Sequence, residues 1–154
     1  MRINVKDNNQ YFIDVLKLSR KLGTNIVTTN NWGDKKKTLK ENRSFYKEVF
    51  TQYSKVAEDN EVKIAMENCP HPGSYPFFIG NIGYSPAIWE LLFDAVPSKT
   101  ISLEYDPSHL VWLGIDYLRG IYNLKERIFA VHAKDTEIIK DSFLLEKSSM
   151  KCLW

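Results

Sequence analysis

Residues 101–114, Ile-Ser-Leu-Glu-Tyr-Asp-Pro-Ser-His-Leu-Val-Trp-Leu-Gly, decide how the rest of the chain is interpreted. Their apolar start predicts a buried strand that ends at the carboxylate of Asp106. Pro107 ends strand pairing because it has no N–H group to donate. His109 is expected on the loop that follows, near enough to share a ligand with Asp106. This order of residues predicts a metal site at the carboxyl ends of parallel strands.

Helical and strand patterns alternate along the rest of the sequence. Apolar spacing predicts helices over 9–22, from an N-cap at Asp34 or Thr38 to about 58, over 85–96 and over 116–126. Short apolar runs predict strands over 25–29, 62–68, 101–106 and 128–132. A helix–strand order repeated four times is typical of an α/β fold with a parallel sheet. Right-handed crossovers would then place all four strand ends on one side.

Three of these strand ends carry residues that can ligate a metal, namely Glu67, Asp106 and His132. Ligands bind at the carboxyl ends of parallel strands, where loops and helix N-termini meet. Two carboxylates and one or two imidazoles suit Mn²⁺, Mg²⁺, Co²⁺ or Zn²⁺. We expect an open position on the ion, where a sugar would chelate through adjacent oxygens. The expected chemistry is proton transfer next to a carbonyl through an enediolate, with a carboxylate as the base.

Each of the three residues has a simpler interpretation when it is taken alone. Glu67 would be an exposed or capping acid, Asp106 a turn-forming Asx residue, and His132 a hydrogen-bonded core histidine. Their occurrence at successive strand ends favours a shared site over three separate coincidences.

Two further polar residues lie near this pattern. Glu104 shares a strand face with Asp106 and is the nearest rival carboxylate, with a lysine across the sheet as a possible partner. His71 lies in the Pro- and Gly-rich loop of residues 69–84 and is expected at the surface. A loop of this length within a compact domain is usually functional or mobile.

Composition limits the class of protein. The 154 residues fit one domain, and 44% hydrophobic with 26% charged residues is ordinary for a globular protein. A net charge of +2 is too balanced to favour nucleic acid or an anionic membrane as a partner. We find no signal peptide and no apolar run that would span a bilayer, so a cytoplasmic location with free thiols at Cys69 and Cys152 is expected. Cys69 precedes Pro70 without an evident activating partner and is interpreted as structural.

Four short motifs resemble the sugar phosphate isomerase/epimerase family, whose fold is a xylose isomerase-like TIM barrel. They are Ile64-Ala-Met-Glu67-Asn68, Tyr105-Asp106-Pro-Ser-His109-Leu, Gly114-Ile-Asp116 and Val131-His132-Ala-Lys134-Asp135-Thr. The resemblance covers residues from about 10 to 138. The second and fourth motifs, in this order and at this separation, are specific for the superfamily and do not identify a substrate.

The resemblance implies roles for individual residues. It places the metal ligands at Glu67, Asp106 and His132, and it also makes Glu67 an acid/base. It gives His109 a contact with substrate or metal. Lys134 and Asp135 match the motif, which implies substrate binding by Lys134 and a possible metal contact for Asp135.

The chain departs from the family in length and in its last strand. A complete barrel needs about 250 residues and eight strands, whereas the four strands predicted here correspond to the fourth through seventh. The family's last strand supplies a second Glu, and no residue after His132 occupies a comparable strand end. Beyond the His132-Ala-Lys-Asp135 motif, Glu137, Asp141 and Glu146 are the only acids. We therefore expect a partial (β/α)8 barrel over residues 1–138 and a tail over 139–154 that does not resemble the family.

A partial barrel would be a truncated product, a gene remnant or one piece of a split enzyme. Two open sheet edges and one apolar face would lead it to form a homo-oligomer or to bind a complementing fragment. The favoured function is a metal-dependent sugar isomerase or epimerase domain that is incomplete alone. The alternatives are an inactive fragment and an inosose dehydratase-like lyase. An apurinic endonuclease, which the same superfamily includes, is disfavoured because DNA binding requires clustered positive charge.

Overall fold

A four-stranded parallel sheet in the order β1-β2-β3-β4 forms the centre of the protein. The computed structural model describes residues 5–34, 36–70, 80–138 and 152–153. The strands are β1 (Ile26–Thr29), β2 (Lys63–Glu67), β3 (Ile101–Tyr105) and β4 (Ile128–Val131). The α-helices are α1 (Val5–Ser19), α2 (Leu39–Asp59), α3 (Pro86–Ala95), α4 (Pro107–Trp112) and α5 (Tyr117–Leu124). Short 3₁₀ helices follow α1 and α5, at Arg20–Leu22 and Lys125–Arg127. The predicted alternation and parallel sheet are confirmed.

Local capping signals fix the helix ends. Of the two N-caps left open by the sequence, Thr38 begins α2 in a capping box, in which its side chain accepts from Glu41 N and the Glu41 carboxylate accepts from Thr38 N at 2.7 Å. Gly23 ends the turn after α1 with φ of 82°, a conformation that costs glycine little. Pro86 occupies the first turn of α3, as predicted.

One face of the sheet packs against the helices, and the other carries the polar residues. The helix-facing side chains of the two central strands belong to the apolar core, which includes Ile64, Met66, Ile101, Leu103 and Tyr105. Because side chains alternate along a strand, the intervening positions face the opposite side. They are Lys63, Ala65, Glu67, Ser102 and Glu104. On the two central strands this face is thus mostly polar, which differs from the apolar face expected from the sequence.

Two local elements differ from the sequence predictions. His109 lies on the one-and-a-half-turn helix α4 and not on a loop, because Asp106 caps that helix through Ser108 N at 2.9 Å and Pro107 starts it. A two-residue strand β5 (Asp135–Thr136) pairs antiparallel with β6 (Cys152–Leu153), in a segment where no strand was predicted. Two residues are too few to show an alternating pattern. His71 lies outside the described residues.

None of the helices in the described part of the chain is both long enough and apolar enough to cross a membrane.

Trp89 of α3 is expected to contribute more to stability than any exposed residue of the same helix. Its side chain is fully buried, donates from Nε1 to Gly83 O at 2.6 Å and contacts the Tyr105 ring edge-on. Trp89→Ala should lower the free energy of unfolding by about 3–5 kcal/mol because it leaves a cavity and an unpaired carbonyl. Urea denaturation followed by circular dichroism measures the change. The exposed neighbour Glu90, changed to Ala, should cost less than about 0.5 kcal/mol, and a Trp89 loss of that size would contradict the prediction.

Candidate metal centre

The three predicted ligands come together at the carboxyl ends of neighbouring strands. Glu67 is the last residue of β2, Asp106 follows β3, and His132 follows β4. His132 Nδ1 lies 3.5 Å from Glu67 Oε1 and 3.4 Å from Asp106 Oδ2. One ligand atom from each residue lies within 4.8 Å of the others. The shared site predicted from the strand ends is therefore present as a cluster of side chains.

The two carboxylate oxygens of Asp106 have different roles: one caps helix α4 and the other faces the metal-ligand cluster. Oδ1 accepts from Ser108 N at 2.9 Å and from Ser108 Oγ at 2.5 Å, which caps α4. Oδ2 faces the cluster, 2.6 Å from Lys134 Nζ, 3.2 Å from His109 Nε2 and 3.4 Å from His132 Nδ1. The side chain is completely buried. The cap thus fixes the oxygen at the centre of the cluster.

His132 is oriented by a carboxylate on its far side. Its Nε2 lies 3.0 Å from Glu104 Oε1, while Nδ1 faces Glu67 and Asp106. When Nε2–H donates to Glu104, the lone pair of Nδ1 points at two carboxylate oxygens. A histidine that ligates a metal usually donates its other N–H group to a carboxylate in this way. Glu104 therefore pairs with a histidine, and not with a lysine as considered from the sequence.

Burial and neighbouring charges shift the pKa values of two carboxylates in the cluster, Glu104 and Asp106. Burial raises the pKa of Glu104, and the nearby charge of Glu67 adds to that effect against the opposing influence of His132. Burial also favours the neutral form of Asp106, but hydrogen bonds from Lys134 and Ser108 and the charge of His109 outweigh it, so its pKa falls below the usual range. Asp106 is thus an ionised buried carboxylate.

His109 is held beside this carboxylate by α4. Its side chain is 5% exposed, and its ring lies edge-on to that of Trp112. Burial lowers its pKa, but contacts with Cys69 and Glu67 and the charge of Asp106 more than offset this and raise the pKa to about 9. Neither ring nitrogen has a hydrogen bond of good geometry within the described part of the chain. The surroundings therefore favour positive charge at this position.

Two buried asparagines fix the backbone that carries the ligands. The Asn68 side chain accepts from Asp106 N at 2.7 Å and donates to Asp106 O at 2.9 Å, which ties the residue after β2 to the residue after β3. Asn81 donates to Glu67 O at 2.7 Å and to Cys69 O at 2.8 Å. Buried polar side chains that are satisfied in this way position a site with little freedom.

The arrangement fits a divalent cation. Ligand atoms about 2.1 Å from one ion lie roughly 3.0–3.4 Å apart, close to the 3.4 and 3.5 Å separations around His132 Nδ1. The lone pair that His132 Nδ1 directs at the two carboxylates would be satisfied by a cation bound among them. Glu67, Asp106 and His132 would hold the ion, with Glu104 behind His132.

Of the two other residues that the family resemblance singled out, Lys134 lies in the cluster and Asp135 does not. Lys134 lies inside the cluster against Asp106, and its side chain is 13% exposed. Asp135 is exposed, and its carboxylate accepts from Thr136 N at 3.1 Å. It does not belong to either group of possible ligand atoms found among the described residues.

The sequence predicted only a structural role for Cys69 and no role for Ser108. Cys69 lies with Glu67 and His109 in a second group of possible ligand atoms within 4.8 Å of one another. Its position two residues after a strand-end acid was a signal for this proximity, because alternate residues of an extended segment point to the same side. The Ser108 role follows from the N-cap preference of the Asp-Pro-Ser order.

Comparison with known proteins gives the family and the extent of the match. The family model described as a xylose isomerase-like TIM barrel matches residues 3–149, which run past the domain boundary expected at residue 138. No curated protein matches the sequence.

Several solved structures share the fold. One is a D-tagatose 3-epimerase-like protein, with a TM-score of 0.71 at 20% identity, covering 86% of this chain and 49% of that one. A D-allulose 3-epimerase from Methylomonas sp., solved with D-allulose, has a TM-score of 0.68 at 15% identity over 83% of this chain and 44% of that one. A probable 3-DHS dehydratase from Bacillus anthracis has a TM-score of 0.71 at 11% identity over 98% and 56%.

The chain thus spans about half the length of the solved structures that it matches. Its four parallel strands with their helices form the corresponding part of a barrel, as the sequence predicted. The extent of the family match, over most of the chain, decides the assignment. The chain belongs to the xylose isomerase-like TIM barrel family.

Proposed function

We propose that this chain carries the divalent-metal site of a sugar or sugar phosphate isomerase or epimerase and is incomplete as an enzyme by itself. The observation that carries the proposal is the convergence of Glu67, Asp106 and His132, with Glu104 on the outer nitrogen of His132. Two of the similar structures are named as a 3-epimerase and a 3-epimerase-like protein, which supports this class of chemistry.

The residues of the cluster would have different roles in this reaction. The ion, when bound, would stabilise negative charge on adjacent substrate oxygens. Glu67 would take the proton from the carbon next to the carbonyl, since its side chain is partly exposed at the cluster. His109 and Lys134 carry N–H groups that would donate to substrate oxygens. Asp106, which is buried and ionised, would keep Lys134 oriented.

Glu67→Gln should strongly slow exchange of the substrate α-proton, a partial reaction that needs only one base and that the chain should therefore perform although it is incomplete as an enzyme. In D₂O with Mn²⁺, a responsive ketose should lose its α-proton signal about 10²–10⁴-fold more slowly with this variant than with the unchanged chain, because an amide cannot act as a base. Proton NMR measures the rate. Glu90→Gln, at an exposed acid of α3, should leave it unchanged.

The assay also separates the alternatives. Equal exchange by the unchanged chain and Glu67→Gln would refute the role of Glu67. Absence of exchange from the unchanged chain with every ketose would favour an inactive fragment. A dehydratase-type reaction, suggested by the name of one similar structure, would instead release water from the substrate, which mass spectrometry detects as a lighter product.

We also propose that a second copy of this chain covers the open edges of the sheet. Among the described strands, β1 and β4 each pair on one side only, and each has four residues. Two copies related by a twofold axis along the strands would pair β4 of each with β1 of the other. The result would be a closed ring of parallel strands with the eight of a complete barrel.

The helices at both edges support this arrangement. Helix α1 and the 3₁₀ turn after it expose Tyr11, Leu18 and Leu22, and α5 exposes Leu118 and Tyr122, all by half or more of the residue. In the proposed pair, α1 of one copy lies beside α5 of the other, which would remove these side chains from water. Apolar groups exposed together on a surface mark an interaction site.

A further inference from the structure

A second group of possible metal ligands lies beside the first and includes the thiol of Cys69. Atoms of Glu67, Cys69 and His109 lie within 4.8 Å of one another. Cys69 is a free, partly buried cysteine just beyond β2. Asn81 donates to the carbonyl groups of both Glu67 and Cys69, at 2.7 and 2.8 Å, which holds the two residues in fixed relation.

His109 points to a missing ligand in this cluster. The residue is only 4% exposed, and neither of its ring nitrogens makes a hydrogen bond of good geometry in the described part of the chain, although Nε2 lies 3.2 Å from Asp106 Oδ2. Its Nε2 lies 3.8 Å from Glu67 Oε1. Leaving a buried polar group unsatisfied costs about 1–3 kcal/mol. The ring is held by α4 and by Trp112, 5.3 Å away between ring centroids, so it cannot easily turn to water.

We propose that Glu67, Cys69 and His109 bind a second cation of the thiophilic class, for which Zn²⁺ is the representative. A sulfur, a nitrogen and an oxygen are a common zinc donor set, and a thiolate ligand disfavours Mg²⁺ and Mn²⁺. The two oxygens of the Glu67 carboxylate can serve one ion each, so the new site would share this residue with the Glu67–Asp106–His132 site. A cation at this site would engage Glu67 and His109 and would therefore oppose the base and donor roles that the proposed function gives them, whereas Cys69 has no role in that function.

Cobalt provides the test, because a Co²⁺–thiolate bond produces a charge-transfer absorption in the near ultraviolet. Metal-free full-length chain titrated with Co²⁺ should develop this band. The band should be absent from Cys69→Ser and present in the matched control Cys152→Ser. Zn²⁺ bound per chain should fall from about two to about one in Cys69→Ser. Circular dichroism verifies that each variant is folded.

Alkylation of the Cys69 thiol provides an independent test of whether this residue binds the metal ion. In the Cys152→Ser chain, the only remaining thiol is Cys69, and Zn²⁺ should slow its alkylation by iodoacetamide at least about tenfold, since a metal-bound thiolate is a poor nucleophile. Mg²⁺ at the same concentration should give no protection. Co²⁺ binding without the band, or a band that persists in Cys69→Ser, would overturn the proposal, as would unprotected alkylation.

A third variant separates this proposal from the proposed function. His132→Ala removes a ligand of the first site only, so its Co²⁺ band should persist. Loss of the band in folded His132→Ala would mean that there is one site and not two, and would refute the second site. A persistent band in a chain that exchanges no sugar proton would refute the isomerase function and leave the second site standing.

Discussion

Asp106→Asn should weaken Mn²⁺ binding at the strand ends by at least about 100-fold, a greater loss than the 10–100-fold typical of residues that only support a ligand. Asp106 Oδ2 is the atom on which Lys134, His109 and His132 converge. The amide lacks the negative charge that a divalent ion requires. Isothermal titration calorimetry on metal-free chain measures the affinity.

The substitution tests the ligand and not the helix. Asparagine is as good an N-cap as aspartate, so the hydrogen bonds from Ser108 and the start of α4 should be retained. Asp94→Asn, at an exposed acid of α3, is the matched control and should bind Mn²⁺ as the unchanged chain does. Undiminished binding by folded Asp106→Asn would show that the cluster does not hold the ion.

Leu118→Glu should convert the chain from a pair into single copies. The unchanged chain is expected to sediment with twice the mass of one chain, because α5 of one copy covers α1 of the other. A carboxylate at position 118, which is 52% exposed on α5, would have to lose its water on association, at a cost of several kcal/mol. Sedimentation equilibrium across a range of concentrations measures the mass.

A substitution at the other edge of the sheet, next to α1, tests whether the two copies form a closed ring. Leu22→Glu, just after α1, should have the same effect in a closed ring, since α1 and α5 then lie in the same interface. If only Leu118→Glu dissociates the pair, the copies associate through α5 alone and the ring is wrong. Gln52→Glu, on an exposed position of α2, should leave the mass unchanged, and a single-copy unchanged chain would refute the pair.

Features that depend on neighbouring residues were predictable from the sequence. The Thr38 capping box and the left-handed Gly23 follow from side chains within a few residues of each helix end. The four strands follow from apolar runs, and the convergence of Glu67, Asp106 and His132 follows from the rule that parallel strands end on one side. These inferences require only local chemistry and the handedness of crossovers.

Features that depend on register across the sheet were not predictable. Glu104 meets His132 because β3 and β4 shift register between Leu103 and Glu104, after which Glu104 pairs with Ala130. No pattern within either strand encodes that bulge. The exposed apolar side chains of α1 and α5 were likewise read only as helical spacing, and their exposure depends on which elements lie beside them.

The sequence by itself determined the strand that leads to Asp106, the acid and the histidine that come after that strand, and the family to which they belong. These are properties of consecutive residues and of their order. Only the tertiary structure decided that Oδ1 of Asp106 caps a helix while Oδ2 faces the cluster, and that Cys69 lies beside His109, forty residues later in the chain. Such contacts arise from packing between distant segments, which fixes distances that no local pattern contains.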